Sequence, residues 1–170
     1  MSDLDGARLP FDPIERAAEL WAERVGDPSE MKVVTSLMRV QQMLLTRIDG
    51  LLRPFGVTFA RYEVLVLLSF SRRGSLPLSK IGARLMVHPT SVTNAIDRLE
   101  AGGLVRRVAD TADRRRTLAE LTPAGREVLA GATRVLQENG FGLDGLARAD
   151  SEALYGLLRS MRGAAGDFPP

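Results

Sequence analysis

Cysteine is absent from the 170 residues, and histidine occurs once, at His88. The first absence excludes disulfides, thiolate chemistry, thiol-based oxidant sensing and Cys-based metal sites. The second excludes a multi-histidine metal centre. No apolar stretch approaches the roughly 20 residues that a membrane span needs. The longest candidate, YEVLVLLSF at 62–70, reads as a buried helix. The start, MSDLDGARLPFDP, is acidic and lacks an apolar run, so no signal peptide is expected and a cytoplasmic location is expected by default. There is no glycine-rich phosphate loop and no histidine pair. The carboxylates fall mostly on solvated helix faces, so no catalytic residue, metal ligand or cofactor is assigned and an enzyme is disfavoured. Lysine is also scarce: of 23 basic residues only Lys32 and Lys80 are not arginine. A net charge of +2 says little about anionic partners, but the distribution of the arginines says more.

What is present is 45% hydrophobic and 26% charged, ordinary for one soluble domain with extra helices. Asp12 as N-cap, Pro13 as first helical residue and Glu15 three residues on form a capping box. It opens a helix striped by Ile14, Ala17, Ala18, Trp21 and Val25 and ended by Gly26. The signal repeats at Asp27-Pro28-Ser29-Glu30. A longer helix follows, from about Ser29 to Leu52, with Val34, Leu37, Met38, Leu44, Leu45, Ile48, Leu51 and Leu52 on its stripe. At 1.5 Å per residue it spans roughly 36 Å, a length suited to a strut or subunit interface. Thr58 is the expected cap of FARYEVLVLLSFSRR, a nearly all-apolar and therefore central helix that Gly74 stops. An extended entry at Leu76 to Leu78 leads into a short helix on Ile81 and Leu85.

Three residues, Met86 to His88, separate that short helix from one starting at Pro89. Two helices joined so tightly form a helix-turn-helix. In the second, Val92, Ile96 and Leu99, with Ala95 beside them, fall on one stripe. The opposite face carries Thr90, Ser91, Thr93, Asn94 and Arg98, short hydrogen-bonding groups with one long cation. Such a face suits a major groove about 12 Å wide, where Asn bridges adenine and Ser or Thr serves base or phosphate. Pro89, Thr90, Ser91, Thr93, Asn94 and Arg98 are therefore candidate DNA contacts. Arg98 suits a phosphate or a neighbouring acid, and His88 an N-cap or turn. Beyond Gly102-Gly103, LVRRV and TLAEL alternate as two strands of a β-hairpin. Arg106, Arg107, Arg114, Arg115 and Arg116 gather on it as an electrostatic footprint for phosphates. Thr122 caps a helix starting at Pro123, with Val128, Leu129, Ala132, Val135 and Leu136 inward. After a break at 140–145, Asp150 or Ser151 opens a last helix bearing Leu154, Leu157, Leu158 and Met161.

The fold class read from this order is mainly α: a winged helix-turn-helix whose N- and C-terminal helices form a dimerisation domain. The divisions are a flexible N-terminus at 1–11, N-terminal dimerisation helices at 12–57, the winged region at 58–121, C-terminal dimerisation helices at 122–163 and a tail at 164–170. The terminal helices have apolar stripes without an obvious partner in the middle third. Such ends usually pack against another copy, because two-fold homodimers are the commonest oligomer.

Two stretches, VHPTSVTNAIDRLEAGGLVRR and DTADRRRTLAELTPAG, resemble the recognition helix and wing of the multiple-antibiotic-resistance regulator (MarR) family of bacterial transcription factors. The resemblance covers 31–136. It implies a homodimer binding a near-palindromic operator in double-stranded DNA. It also implies that Arg114 or Arg115 reaches the minor groove while Asp110 or Asp113 braces the wing. Ala119 stands where the family usually has a larger aliphatic residue, which implies a loosely packed second wing strand.

The helix of Trp21 is extra to the minimal family plan, and its Trp suits an anchor to the dimer core. A family subgroup with such a helix encloses a small anionic effector, such as urate, between a Trp, an acid and a recognition-helix Arg. Trp21, Glu63 and Arg98 are the positions here that match those parts, so the effector implied is small and anionic or aromatic. Effector-driven operator release is what the resemblance implies. The rival reading is a winged-helix DNA-binding or docking protein without a ligand response, a constitutive repressor or architectural factor.

Overall fold

The computed structural model describes residues 9–110, 116–143 and 145–169. Its helices are α1 (Pro13–Arg24), α2 (Ser29–Leu52), α3 (Phe59–Ser69), α4 (Leu78–Leu85), α5 (Pro89–Ala101), α6 (Pro123–Glu138) and α7 (Arg148–Ala164). The strands are β1 (Ser75–Pro77), β2 (Val105–Ala109) and β3 (Thr117–Leu121), joined as one antiparallel sheet in the order β1-β3-β2. This is a mainly helical winged helix-turn-helix. The chain divides into two compact units, Met1–Arg47 and Ile48–Pro170, with the boundary inside α2.

In the first unit, the Asp12 carboxylate accepts the N–H of Ile14 at 2.8 Å and that of Glu15 at 3.4 Å. Glu15 does not close the expected capping box. Its carboxylate pairs with the Lys32 ammonium on α2 at 2.7 Å, a charged partner that outcompetes a neutral backbone N–H. Asp27 accepts both the N–H and the hydroxyl of Ser29, at 3.0 and 2.6 Å. Those two bonds, the hydroxyl's first, hold its carboxyl below the usual carboxylate range. Of the expected α1 stripe only Ala18 is buried, and Trp21 is 40% exposed. Val33, Val34, Met38, Val40 and Met43 on α2 are also exposed.

The second unit holds the core. Leu52, Leu65, Leu68, Ile81, Ile96, Leu99 and Leu136 are fully buried, each worth about 1.5–3 kcal/mol of apolar transfer. Helix α3 sits against α5, α6 and the sheet, and the Tyr62 hydroxyl meets that of Thr133 on α6 at 3.0 Å. Thr58 is the N-cap of α3, but its side chain makes no cap bond. The Asp49 carboxylate accepts the Phe59 N–H instead, at 2.7 Å, and Thr58 receives Arg61 Nε. Helix α3 stops at Ser69, short of the expected Gly74. The Ser69 and Ser71 hydroxyls bond back to the carbonyls of Val66 and Leu68, competing with helix continuation.

Strand β3 pairs on both sides: Leu76 faces Ala119 from β1, and Arg107 faces Ala119 from β2. Ala119 is fully buried, so the loose packing implied for it is not found. Thr122 caps α6 as expected, accepting the Gly125 N–H at 3.0 Å while its hydroxyl faces the carbonyls of Gly103 and Leu104. Helix α7 begins at Arg148, two residues before the expected start, and none of its residues is buried.

Candidate nucleic-acid interface

Helices α4 and α5 meet at a crossing that Gly82 makes possible. A Cβ at Gly82 would lie 3.2 Å from the Val87 carbonyl oxygen and 3.3 Å from Val92 Cγ2. Helix α4 ends at Met86 in the left-handed region, φ 54° and ψ 40°, with the Val87 N–H donating to the Gly82 carbonyl at 3.1 Å. His88 is the N-cap of α5: its Nδ1 accepts the Thr90 N–H at 3.2 Å, and its carbonyl accepts the Ser91 N–H at 2.9 Å. Pro89 follows as the first helical residue, where a missing N–H costs nothing.

From there the helix divides cleanly. Val92, Ile96 and Leu99 are buried, while Pro89, Thr90, Ser91, Thr93, Asn94, Asp97 and Arg98 are exposed. Thr93 Oγ1 donates to the Pro89 carbonyl at 3.1 Å, which fixes its rotamer. Asn94 and Arg98 stand one turn apart on the same face and border a shallow hollow with Asp97 and Ala101. Among the described residues, the Arg98 guanidinium has no hydrogen bond or ion pair. The structure thus brings together all six α5 candidates on one open face.

The arginine cluster resolves differently. Arg106 pairs with Glu120, its directly opposed cross-strand neighbour, at 2.7 Å. The Arg107 guanidinium binds Asp97 of α5 at 2.5 Å and also Glu100, while its backbone N–H donates to Glu100 at 2.8 Å. That backbone bond, then the side-chain one, holds the Glu100 carboxyl below the usual range; the Asp97 bond, ahead of Glu100, raises Arg107. Two of the five arginines expected to meet phosphate are therefore neutralised within the protein. Sequence reasoning missed this clamp, although acids three residues apart on α5 followed by an arginine on the next strand were its visible signal. Asp110 receives the chain back at the wing, its N–H donating to the Arg116 carbonyl at 3.1 Å. Asp113, Arg114 and Arg115 lie outside the described residues.

A helix-turn-helix with a polar recognition face, a three-stranded sheet and an arginine-bearing hairpin is the architecture on which comparison with known proteins bears. The MarR family model matches residues 59–117. A MarR family transcriptional regulator from Streptomyces coelicolor, Sco5413, is 50% identical, with a TM-score of 0.77 over 84% of this chain and 99% of its own. This chain belongs to the MarR family.

A second MarR family regulator from Streptomyces coelicolor, Sco3205, was solved in complex with DNA. It is 26% identical, with a TM-score of 0.69 over 79% of this chain and 87% of its own. The HTH-type transcriptional repressor MdtR of Bacillus subtilis (strain 168) is 41% identical over 85 residues, 48% of this chain. The match spans 54% of MdtR, about half its length. The helix-turn-helix of this chain lies inside the matched segment, with α6 and α7 beyond it.

The three positions matched to an effector site fall in both units. Trp21 is in the first, while Glu63 on α3 and Arg98 on α5 are in the second. No hydrogen bond or ion pair joins Glu63 to Arg98. Glu63 is half-buried, and burial alone pushes its carboxyl above the ordinary value. Among the described residues, no group of histidines and acids could hold a metal ion, and no helix is long and apolar enough to cross a membrane.

Proposed function

We propose that the protein is a cytoplasmic, non-enzymatic transcriptional regulator that binds a near-palindromic operator in double-stranded DNA as a homodimer and is released by a small-molecule effector. The observation that carries this reading is the exposed face of α5. Thr90, Ser91, Thr93, Asn94 and Arg98 stand open there, over a back face locked by Val92, Ile96 and Leu99. Short polar groups reach base edges and phosphates in a major groove. The DNA complex of Sco3205 supports the same use of the fold.

From the family resemblance, Arg114 or Arg115 is assigned to the neighbouring minor groove, and Asp110 or Asp113 to bracing the wing. The dimerisation regions are 12–57 and 122–163. Exposed Met38 and Met43 on α2, and Leu157 on α7, support an interface between copies. Half-sites one helical turn apart require the two α5 helices about 34–36 Å apart. An effector releases DNA only by differential affinity for two conformations. Trp21, Glu63 and Arg98 are the positions assigned to it, with a small anionic or aromatic ligand as the class.

Selection from a random duplex pool tests the reading. Enrichment of a palindrome, with affinity falling steeply as salt rises, is expected. Binding no better than to bulk duplex at moderate salt overturns it. Leu157→Asp should halve the solution mass. Ligand screening against the operator complex then separates an effector-released regulator from a constitutive one.

A further inference from the structure

The sequence spends a methionine where the backbone favours glycine. Met86 holds φ 54° and ψ 40° at the end of α4, a left-handed conformation that a side chain makes costly. Its side chain is 83% exposed, so burial within the chain does not offset that cost. Val87, the next residue, is also exposed. Both border an apolar groove between α4 and α5, together with Leu78, Gly82 and Val92. Thr93 lines the same groove and belongs to the polar face of α5. The apolar strip is therefore continuous with the face assigned to bases, and His88 alone separates it from Pro89.

A major groove presents donors, acceptors and one apolar group, the 5-methyl of thymine. An apolar pair carried into that groove has no other partner on unmodified bases. Resting on the DNA reading above, we propose that Met86 and Val87 are specificity-determining residues that read thymine 5-methyl groups beside the base pairs met by α5. The strain at Met86 fits this role, since backbone strain at a recognition element persists where the surrounding structure enforces it.

The test replaces operator thymines, one at a time, by deoxyuridine, which removes only the methyl. One or two positions per half-site should each lose about fourfold in affinity, the value of one buried methyl. Met86→Gly relaxes the backbone, so its melting temperature should not fall, yet it should bind the normal operator more weakly and no longer distinguish thymine from deoxyuridine at the position that Met86 reads. Met86→Leu keeps apolar reach and should retain the discrimination. Specific operator binding with no thymine position sensitive, or with equal sensitivity in Met86→Gly, overturns this proposal and leaves the DNA reading intact. Failure to select any operator overturns the DNA reading itself.

Discussion

Arg107 on β2 holds Glu100 on α5 from two directions: its backbone N–H donates to one carboxylate oxygen at 2.8 Å, and its guanidinium donates to the other. The same guanidinium reaches Asp97, one turn earlier on the helix. The wing strand and the recognition helix are thereby fixed to each other by groups that would otherwise repel or compete for phosphate. Asp97 and Glu100 would oppose DNA if left unpaired, and Arg107 offsets one of their two negative charges.

Arg107→Ala should lower the melting temperature by about 2–4 °C, the scale of losing one partly exposed charged network. It should weaken operator binding more than a neutral surface substitution does. Combined with Asp97→Asn, the losses should be less than additive, because both remove one shared network. Strict additivity in a double-mutant cycle would show that the clamp is not a coupled unit. The pH dependence has a definite sign. The Glu100 carboxyl is held down in the folded state, so its contribution is present above the unfolded value of about 4.3 and is lost as pH falls through the folded value. The cost of Glu100→Gln should therefore be seen at pH 7 and vanish in strong acid.

Glu63 has the opposite sign. Burial raises its carboxyl, so the protonated form favours folding, and its contribution is full below about pH 4.3 and lost as pH rises through the folded value. Glu63→Gln should raise the melting temperature by about 1–3 °C at pH 8 and by little at pH 4.5. Thermal melts across that range check it. A gain independent of pH would mean that charge is not the cause.

The local elements were legible because their signals are local. Pro89, His88 and the Val92-Ile96-Leu99 stripe place α5 from sequence, and TLAEL is β3 to the residue. Pairings between distant residues were not legible. Nothing in the local pattern indicates that Asp49 caps α3, that Lys32 draws Glu15 away, or that Arg106 is spent inside the protein. Ala119 looked undersized for a two-stranded wing, whereas β1 and β2 flank β3 on both sides and Ala119 is fully buried. The polar face of α5 was readable since exposure followed periodicity. The thioether of Met86 was not, because its meaning comes from a backbone conformation.

Glycine positions separate packing from propensity. A Cβ at Gly125 would lie 2.1 Å from the Leu104 carbonyl oxygen and 2.8 Å from Leu121 Cδ1, so the backbone itself must move. Gly125→Ala should cost about 3 kcal/mol in chemical denaturation. Gly50 in α2 has nothing within 4 Å of the same atom, so Gly50→Ala should instead gain about 0.5–1 kcal/mol. Similar outcomes for the two would contradict the close approach of α6 to the carbonyl of Leu104.

The face of α5 and the wing should fail in different ways. Asn94 stands on the open face, where a carboxamide can bridge an adenine. Asn94→Ala should therefore cost about 1–3 kcal/mol against the preferred base at one position and little elsewhere. Arg115, proposed for the minor groove, would serve charge and groove width rather than a base edge. Arg115→Ala should weaken binding to operator and bulk duplex alike, and reduce the slope of log affinity against log salt by about 1. Titrations of both variants at several salt concentrations, on the operator and on single base-pair variants, distinguish the two roles. An unchanged salt slope in Arg115→Ala removes that residue from the phosphate contacts. A uniform loss in Asn94→Ala makes it a positioning contact, because only a group reading a base edge can lose discrimination at one pair while leaving the electrostatic part of binding intact.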